Sequence, residues 1–409
     1  MKPRALIAIL SSLSMLGALS IDTYLPALPS ITHDLAITPA AAQQTLSVFL
    51  FAYAFMTLFF GTLSDSFGRR PVIIVALMVF LAGSVGCAVA PSLGWLLAFR
   101  LLQGLSAGAG NVVGRAMIGD LFAGAAAQRM MAFVQMVFGL APAIAPILGG
   151  WLLWFFGWRA IFIFIVVFTI TVLVISLRVL PESLGRERRH PFHARVILAN
   201  YWRVGGHLRF VSLCLGNALT FSGVSIYIGS APAMIYSILH LSERDFGWLF
   251  IPLIGGMTVG SMLSARASHR FSPALIIRAG YTIMLISAVA NVVYNLMFAA
   301  RVPWALVAPF FYCLGMSLAA PAMNMRILGM FPQTRGLASS LMSFAFMTIF
   351  ALISGLLCPL VFESALHLAE AILAGMLLSL LFWWLGGLGH DSEAPMPQRG
   401  SPDEVLVEL

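Results

Sequence analysis

Two charged residues interrupt stretches that are otherwise apolar. Asp22 follows the run that begins at Ala5 and sits within SIDTYLPALP, Ser20 to Pro29; Arg100 sits within LGWLLAFRLLQG, Leu93 to Gly104. An ionised side chain in a hydrocarbon environment costs about 2.5 kcal/mol or more, so such residues commonly mark ion or proton pathways. Burial favours a protonated carboxyl, and a nearby cation favours the carboxylate. An aspartate balanced between those two influences can exchange its proton for another ligand. The competing readings are structural. Asp22 could cap backbone near Pro26, and Arg100 could bond helix carbonyls.

The elements that carry these residues follow from composition. Of 409 residues, 60% are hydrophobic and 9% are charged, where a soluble domain carries about 25% charged residues. Too few charges are present to cover a water-facing surface, so lipid is the expected solvent. A bilayer-crossing helix needs roughly 20 apolar residues, and twelve such runs can be read: 4–28, 43–63, 70–90, 94–117, 128–152, 157–179, 209–236, 245–266, 274–298, 303–326, 337–361 and 364–388. Backbone groups in lipid must be satisfied within the segment, which makes these runs helices; the alternating pattern of a membrane barrel is absent. The fold class expected is an all-α membrane protein, with residues 1–179 and 209–388 as two six-helix bundles. A basic linker, 180–208, separates them, and an acidic tail, 389–409, is expected to be disordered. An uncleaved first span is preferred to a secretory signal because many further apolar runs follow.

Orientation follows from the basic residues. With both termini cytoplasmic, 19 of the 23 lysines and arginines fall inside, three outside (Arg159, Arg244, Arg301) and one, Arg100, within a span. The arginines are scattered at the ends of apolar runs, so the net charge of +8 does not form a nucleic-acid surface. Cys87, Cys214, Cys313 and Cys358 lie within apolar runs without metal or disulfide spacing. GLSAG, Gly104 to Gly108, has the hydrolase spacing but lies in a helix rather than at a strand–helix turn. No phosphate-binding loop and no zinc motif occur. An enzyme, a metal or an organic cofactor is therefore not expected.

GTLSDSFGRRP, Gly61 to Pro71, lies between the second and third runs. Gly61 would allow close helix contact and Gly68 a backbone conformation closed to other residues. Asp65 and Arg69, four apart, could pair. The segment resembles the signature loop of the major facilitator superfamily. RLLQG, Arg100 to Gly104, resembles the fourth-helix motif of its proton-coupled members, and GLAPAIAPILGG, Gly139 to Gly150, the fifth-helix motif of its antiporters. GRAMIGDLF and IDTYLPALP resemble its bicyclomycin/chloramphenicol-resistance branch of drug:proton antiporters. The second copy of the signature loop, GSMLSARASHRFSP from Gly260 to Pro273, lacks the aspartate and the glycine.

The resemblance implies that the first and fourth helices line a central cavity. Asp22 and Arg100 fall at similar depth, at about 1.5 Å per residue, and would then form the proton-coupling pair. The resemblance also implies that Asp65, Arg69 and Asp120, with Arg115 nearby, form a cytoplasmic latch that holds an outward-open state. On the fifth helix, Gly139, Gly149 and Gly150 and the small residues between them would let a neighbour approach closely. Pro142 and Pro146 would bend that helix, and Gly256 and Gly260 of the eighth would meet it. Tyr53, Gln135, Asn217, Phe221, Tyr227, Asn291, Tyr294 and Asn324 are polar or aromatic residues within spans and are candidate substrate contacts. The activity implied is export of small, mainly lipophilic or cationic organic compounds, driven by the proton gradient, from the bacterial inner membrane and by a monomer. Export of a metabolite (an amino acid, short peptide or sugar) is the alternative; a receptor or enzyme is the reading of another class.

Overall fold

The computed structural model describes residues 3–122, 124–185, 187, 189, 194–331 and 334–387. The acidic tail, 389–409, lies outside them. Helices account for the architecture, and the described residues include no strand. The first span is α1 (Pro3–Asp22), a 3-10 turn (Leu25–Ala27) and α2 (Leu28–Asp34). The second and third are α3 (Pro39–Phe67) and α4 (Arg69–Ala88). The fourth is α5 (Leu93–Ala107) followed by α6 (Ala109–Leu121); the fifth is α7 (Gly124–Phe156) and the sixth α8 (Arg159–Val179). A linker helix, α9 (Ala194–Gly205), precedes the second set.

The seventh span is α10 (Leu208–Thr220) and α11 (Ser222–Gly229), bent by 44° at Phe221 and continued by a π-helical turn, Ala233–Ile238. Then come α12 (Phe246–Ala267), α13 (Pro273–Met297) and α14 (Val307–Gly329). The eleventh span is α15 (Arg335–Leu352), a π-helical turn at Ile353–Leu357, and α16 (Cys358–Val361); α17 (Ala365–Gly387) is the twelfth. Among the described residues, eleven helices are long and apolar enough to cross a membrane, and the bent seventh makes twelve. The first is longer than its apolar run suggests, because after a turn at residues 23–24 and the 3-10 turn the chain continues as helix to Asp34.

Local sequence explains the boundaries. Thr38 accepts a hydrogen bond from the Ala41 N–H at 3.2 Å and Pro39 follows it, which starts α3. Gly68, at φ 101°, separates α3 from α4 in a conformation that only glycine adopts without strain. Pro142 and Pro146, expected to bend the fifth span, lie inside one continuous helix.

In the first bundle α1 packs against α6, α7 and α8, α3 against α5, and α4 against α5 and α8. In the second, α14 packs against α12 and α13, and α17 against α10 and α13. The bundles meet through two helix pairs, α3 with α15 and α7 with α12. Large apolar side chains such as Phe156 and Leu360 stay exposed on the outer surface, as a lipid solvent requires. The molecule has a linker end, with the α3–α4 turn and α9, and a far end, with residues 23–38 and 230–245.

Candidate functional site

Arg100 on α5 is fully buried and ties the first bundle together. Its Nη1 donates to the Ser20 carbonyl on α1 at 3.2 Å and to the Gln103 Oε1 at 3.1 Å; its Nε donates to the Thr45 carbonyl on α3 at 3.4 Å. Gln103, one turn on from Arg100, donates in turn to Ser84 of α4 at 2.8 Å. Nη2 has no hydrogen-bond partner among the described residues. The rings of Tyr24 and Phe49 lie 4.3 and 4.5 Å from the guanidinium carbon, so aromatic faces stabilise the charge where hydrogen bonds do not. The Tyr24 hydroxyl is fixed by Thr45 at 2.6 Å. Four spans therefore converge on one cation.

Asp22 is not among its partners. The carboxyl is buried, with 3% of the residue exposed, and among the described residues it makes no ion pair and no hydrogen bond. This corrects the expected Asp22–Arg100 pair. The depth agrees, because Arg100 reaches Ser20, but residues two apart on an α-helix point about 160° away from each other. Asp22 lies instead on the face that carries Ala8, Ser12, Met15 and Leu19. Along that face Ala8 is exposed, Ser12 and Met15 are half-buried, and Leu19 and Asp22 are buried. Helices of the same bundle cover the other sides of α1, so this face looks into the space between the bundles. Exposure along it falls from Ala8, near the linker end, to Asp22.

Contacts across the bundles close the far end. Gln43 of α3 donates from Nε2 to the Gly229 carbonyl at 3.0 Å and to Ser354 Oγ at 2.8 Å. Gln44 donates to the Gly355 carbonyl at 2.8 Å. The π-helical turn at Ile353–Leu357 supplies both eleventh-span acceptors. The Tyr236 hydroxyl donates to the Pro26 carbonyl at 3.0 Å, and the Arg244 guanidinium stacks on Trp154 at 3.9 Å. Gly150 faces the Glu243 carbonyl so closely that a Cβ would overlap it, whereas Gly149 faces the Thr23 carbonyl inside its own bundle. Gly139 has open space around it. Gly256 and Gly260, expected to meet the fifth span, pack instead on the Phe310 and Leu314 carbonyls of the tenth.

At the linker end Arg69 forms the expected cluster. Nη1 lies 2.6 Å from Asp65 Oδ1 and also donates to Ser64; Nε lies 3.0 Å from Asp120 Oδ2. The cluster's further partners belong to the linker. Glu182 accepts from the Arg69 backbone N–H at 3.0 Å, and Ser183 donates to Asp120 at 2.9 Å. No described residue of the second bundle joins it, so in this state it anchors the linker to the first bundle rather than one bundle to the other. Arg115 stands apart, exposed and near Tyr53, and so is not part of the cluster. Gly61 faces open space and makes no close helix contact. The linker helix joins both halves through Tyr201, whose hydroxyl donates to the Leu58 carbonyl at 2.6 Å and lies by Ser340.

The candidate substrate residues do not converge on one site. Tyr53 is buried and bonded to Asn111, close to Gly17 of α1. Asn217 and Asn324 bond each other at 3.0 Å in half-buried positions, and Phe221, at the bend of the seventh span, packs on Phe346 at 4.4 Å. Tyr227 and Asn291 bond each other at 2.9 Å in the interior of the second bundle, which removes them from the cavity. Tyr294 packs tilted against Phe298 at 5.7 Å and donates to the Ala299 carbonyl at 3.3 Å, at the end of α13, and is also removed. The Gln135 side chain lies outside the described residues.

Comparisons with known proteins agree with this geometry. Residues 10–212 match the family model described as Major Facilitator Superfamily. A bicyclomycin resistance protein homolog of Haemophilus influenzae is 27% identical over 92% of this chain and 94% of its own. Multidrug resistance protein D of Escherichia coli is 26% identical over 82% of this chain and 84% of its own. Among solved structures, the human organic anion transporter MFSD10 (TETRAN) superposes with a TM-score of 0.70 at 18% identity, covering 94% of this chain and all of that one, which speaks to the fold. The chain belongs to the major facilitator superfamily.

In this superfamily member the residues that close the far end were not legible as a group. Gln43 and Gln44 were visible as two adjacent amides at the edge of an apolar run, a signal that could have singled them out. Ser20, Thr45 and Tyr24 carried no signal, because they act through backbone carbonyls and a ring face. The arrangement keeps a buried carboxyl beside the closed far end, without an ion pair or hydrogen bond among the described residues.

Proposed function

We propose that the protein exports small, mainly lipophilic or cationic organic compounds from the bacterial cytoplasm in exchange for protons, working as a monomer by alternating access. The two bundles would rock about their α3–α15 and α7–α12 contacts, the usual mechanism for folds built from repeated bundles. With the termini and linker cytoplasmic, as the arginine distribution favours, the state described above is open inward and closed outward. The observation that carries the reading is Asp22: a buried carboxyl with no ion pair or hydrogen bond among the described residues, beside the closed far end. Opening the far end would give it the opposite side, and proton and substrate would compete for it. Relatives named for bicyclomycin and multidrug resistance support organic export over a metabolite.

The test is transport in inverted membrane vesicles with a fluorescent organic cation such as ethidium. Wild type should release protons from the vesicle lumen as the dye enters. Asp22→Asn should still equilibrate dye down its gradient but show no proton release and no accumulation. Normal coupling in Asp22→Asn would refute the assignment of that residue. Absence of dye movement in wild type, with movement of an amino acid or sugar, would favour metabolite export.

A further inference from the structure

We propose that the second bundle binds one anionic phospholipid of the surrounding bilayer at the linker end. Its acyl chains would lie in the cleft between α12 and α13, and its phosphate by Arg266, His269 and Arg270. The cleft has a volume of about 870 Å3, within the roughly 300–1,000 Å3 range of small-molecule sites. Ile276 and Leu318 form a buried apolar floor, while Phe271 and Leu275 form walls that remain about half exposed.

The three basic side chains line the mouth of the same cleft, and all are exposed. None has an ion pair or a side-chain hydrogen bond among the described residues. That separates this loop from its counterpart in the first bundle, where Asp65 and Asp120 neutralise Arg69. The second copy of the signature loop has lost the aspartate, and its cations are left facing outward over an apolar cleft. The combination excludes an organic cation, which Arg266 and Arg270 would repel. It also disfavours a free inorganic anion, which has no use for an apolar floor. A lipid phosphate with its chains fits both, and basic pockets between membrane helices commonly hold such head groups.

The experiment is native mass spectrometry of the full-length protein in detergent, titrated with phosphatidylglycerol and with phosphatidylcholine of the same chains. Wild type should bind phosphatidylglycerol about tenfold more tightly, a preference expected of a few basic residues at a lipid surface. The triple variant R266Q/H269Q/R270Q should bind the two lipids alike. Ala279→Phe, which fills the cleft and keeps the charges, should weaken both. Inorganic phosphate in large excess should not displace phosphatidylglycerol. A preference that survives the triple variant overturns the proposal; so does displacement by inorganic phosphate, or an unchanged affinity in Ala279→Phe. Should the triple variant fail to fold, Arg266→Gln alone, at an exposed position without a partner, should lose about threefold in phosphatidylglycerol affinity, and no loss would count against the site.

Discussion

The Nη1 of Arg100 donates to the Ser20 carbonyl at 3.2 Å, so the cation of the fourth span grips the backbone of the first span two residues before its helix ends. Asp22, two residues on, points to the other side. The cation thus has a holding role on α1, and the buried carboxyl faces away from it, without an ion pair or hydrogen bond among the described residues.

Arg100 should therefore matter for stability more than for coupling. Arg100→Ala strands the Ser20 carbonyl and Gln103, and hydrogen bonds to a charged group contribute about 1.5–3 kcal/mol each. Arg100→Lys should rescue little, since an ammonium cannot span three acceptors and two rings as a planar guanidinium does. Both variants should lower the melting temperature of the purified protein well below that of Asp22→Asn, measured by thermal unfolding in detergent. A stable Arg100→Ala with lost proton coupling would reverse the two roles.

Gln43 and Gln44 should set how long the far end stays closed. Their three cross-bundle hydrogen bonds are worth roughly 1 kcal/mol each. The double variant Q43A/Q44A should shift the equilibrium toward a state open at the far end by about tenfold or more. Spin labels at Ala36 and His240, both exposed on opposite bundles at that end, would report it as a longer distance in pulsed electron resonance. The four native cysteines are buried and would escape labelling. An unchanged distance distribution would mean that other contacts hold the end shut.

The two adjacent glycines of α7 should separate fold from motion. Gly149→Ala forces a methyl onto the Thr23 carbonyl within the first bundle and should lower the melting temperature. Gly150→Ala forces one onto the Glu243 carbonyl of the other bundle, which can move away, so it should favour far-end opening in the same label pair with a smaller thermal effect. Equal thermal losses would contradict this division.

Within the linker-end cluster, Asp120 should outweigh Asp65. The Asp120 side chain is 18% exposed and Asp65 45%, and exposed pairs contribute only about 0–1 kcal/mol. Asp120 also holds Ser183 of the linker. Asp120→Asn should cost about 1–3 kcal/mol of stability and Asp65→Asn less, as read from denaturation midpoints. A larger loss for Asp65→Asn would show that exposure is a poor guide here.

Much of the candidate site was legible in the chain. Asp65 and Arg69 announced their pairing by spacing, and Gly68 announced the turn that only a glycine allows. Asp22 and Arg100 stood out because ionisable groups are costly in lipid. The matched depth of the latter pair followed from helix rise alone. Their failure to meet did not, because the face each side chain takes depends on how α1 is rotated within its bundle. Tyr227, Asn291 and Tyr294 were polar residues in apolar runs like any others; nothing in their spacing told a bond inside one bundle from a contact in the cavity. Gly256 and Gly260 gave a face for close approach but not the partner, which proved to be the tenth span.

By itself the sequence determined that this protein is a set of twelve apolar helices, because a chain with so few charges must satisfy its backbone within each segment and take lipid as its solvent. It also determined the turn at Gly68 and the acidic and basic residues around it, since these are local matters of backbone angle and spacing. Only the tertiary structure decided which residues meet across helices: Arg100 with the Ser20 carbonyl, Gln43 with Gly229 and Ser354, Gly150 with Glu243. Those contacts depend on helix rotation, on the bend at Phe221 and the break in helix after Asp22, and on which of two bundle arrangements the chain occupies. These are set by packing between segments far apart in sequence, and no residue's own chemistry fixes them.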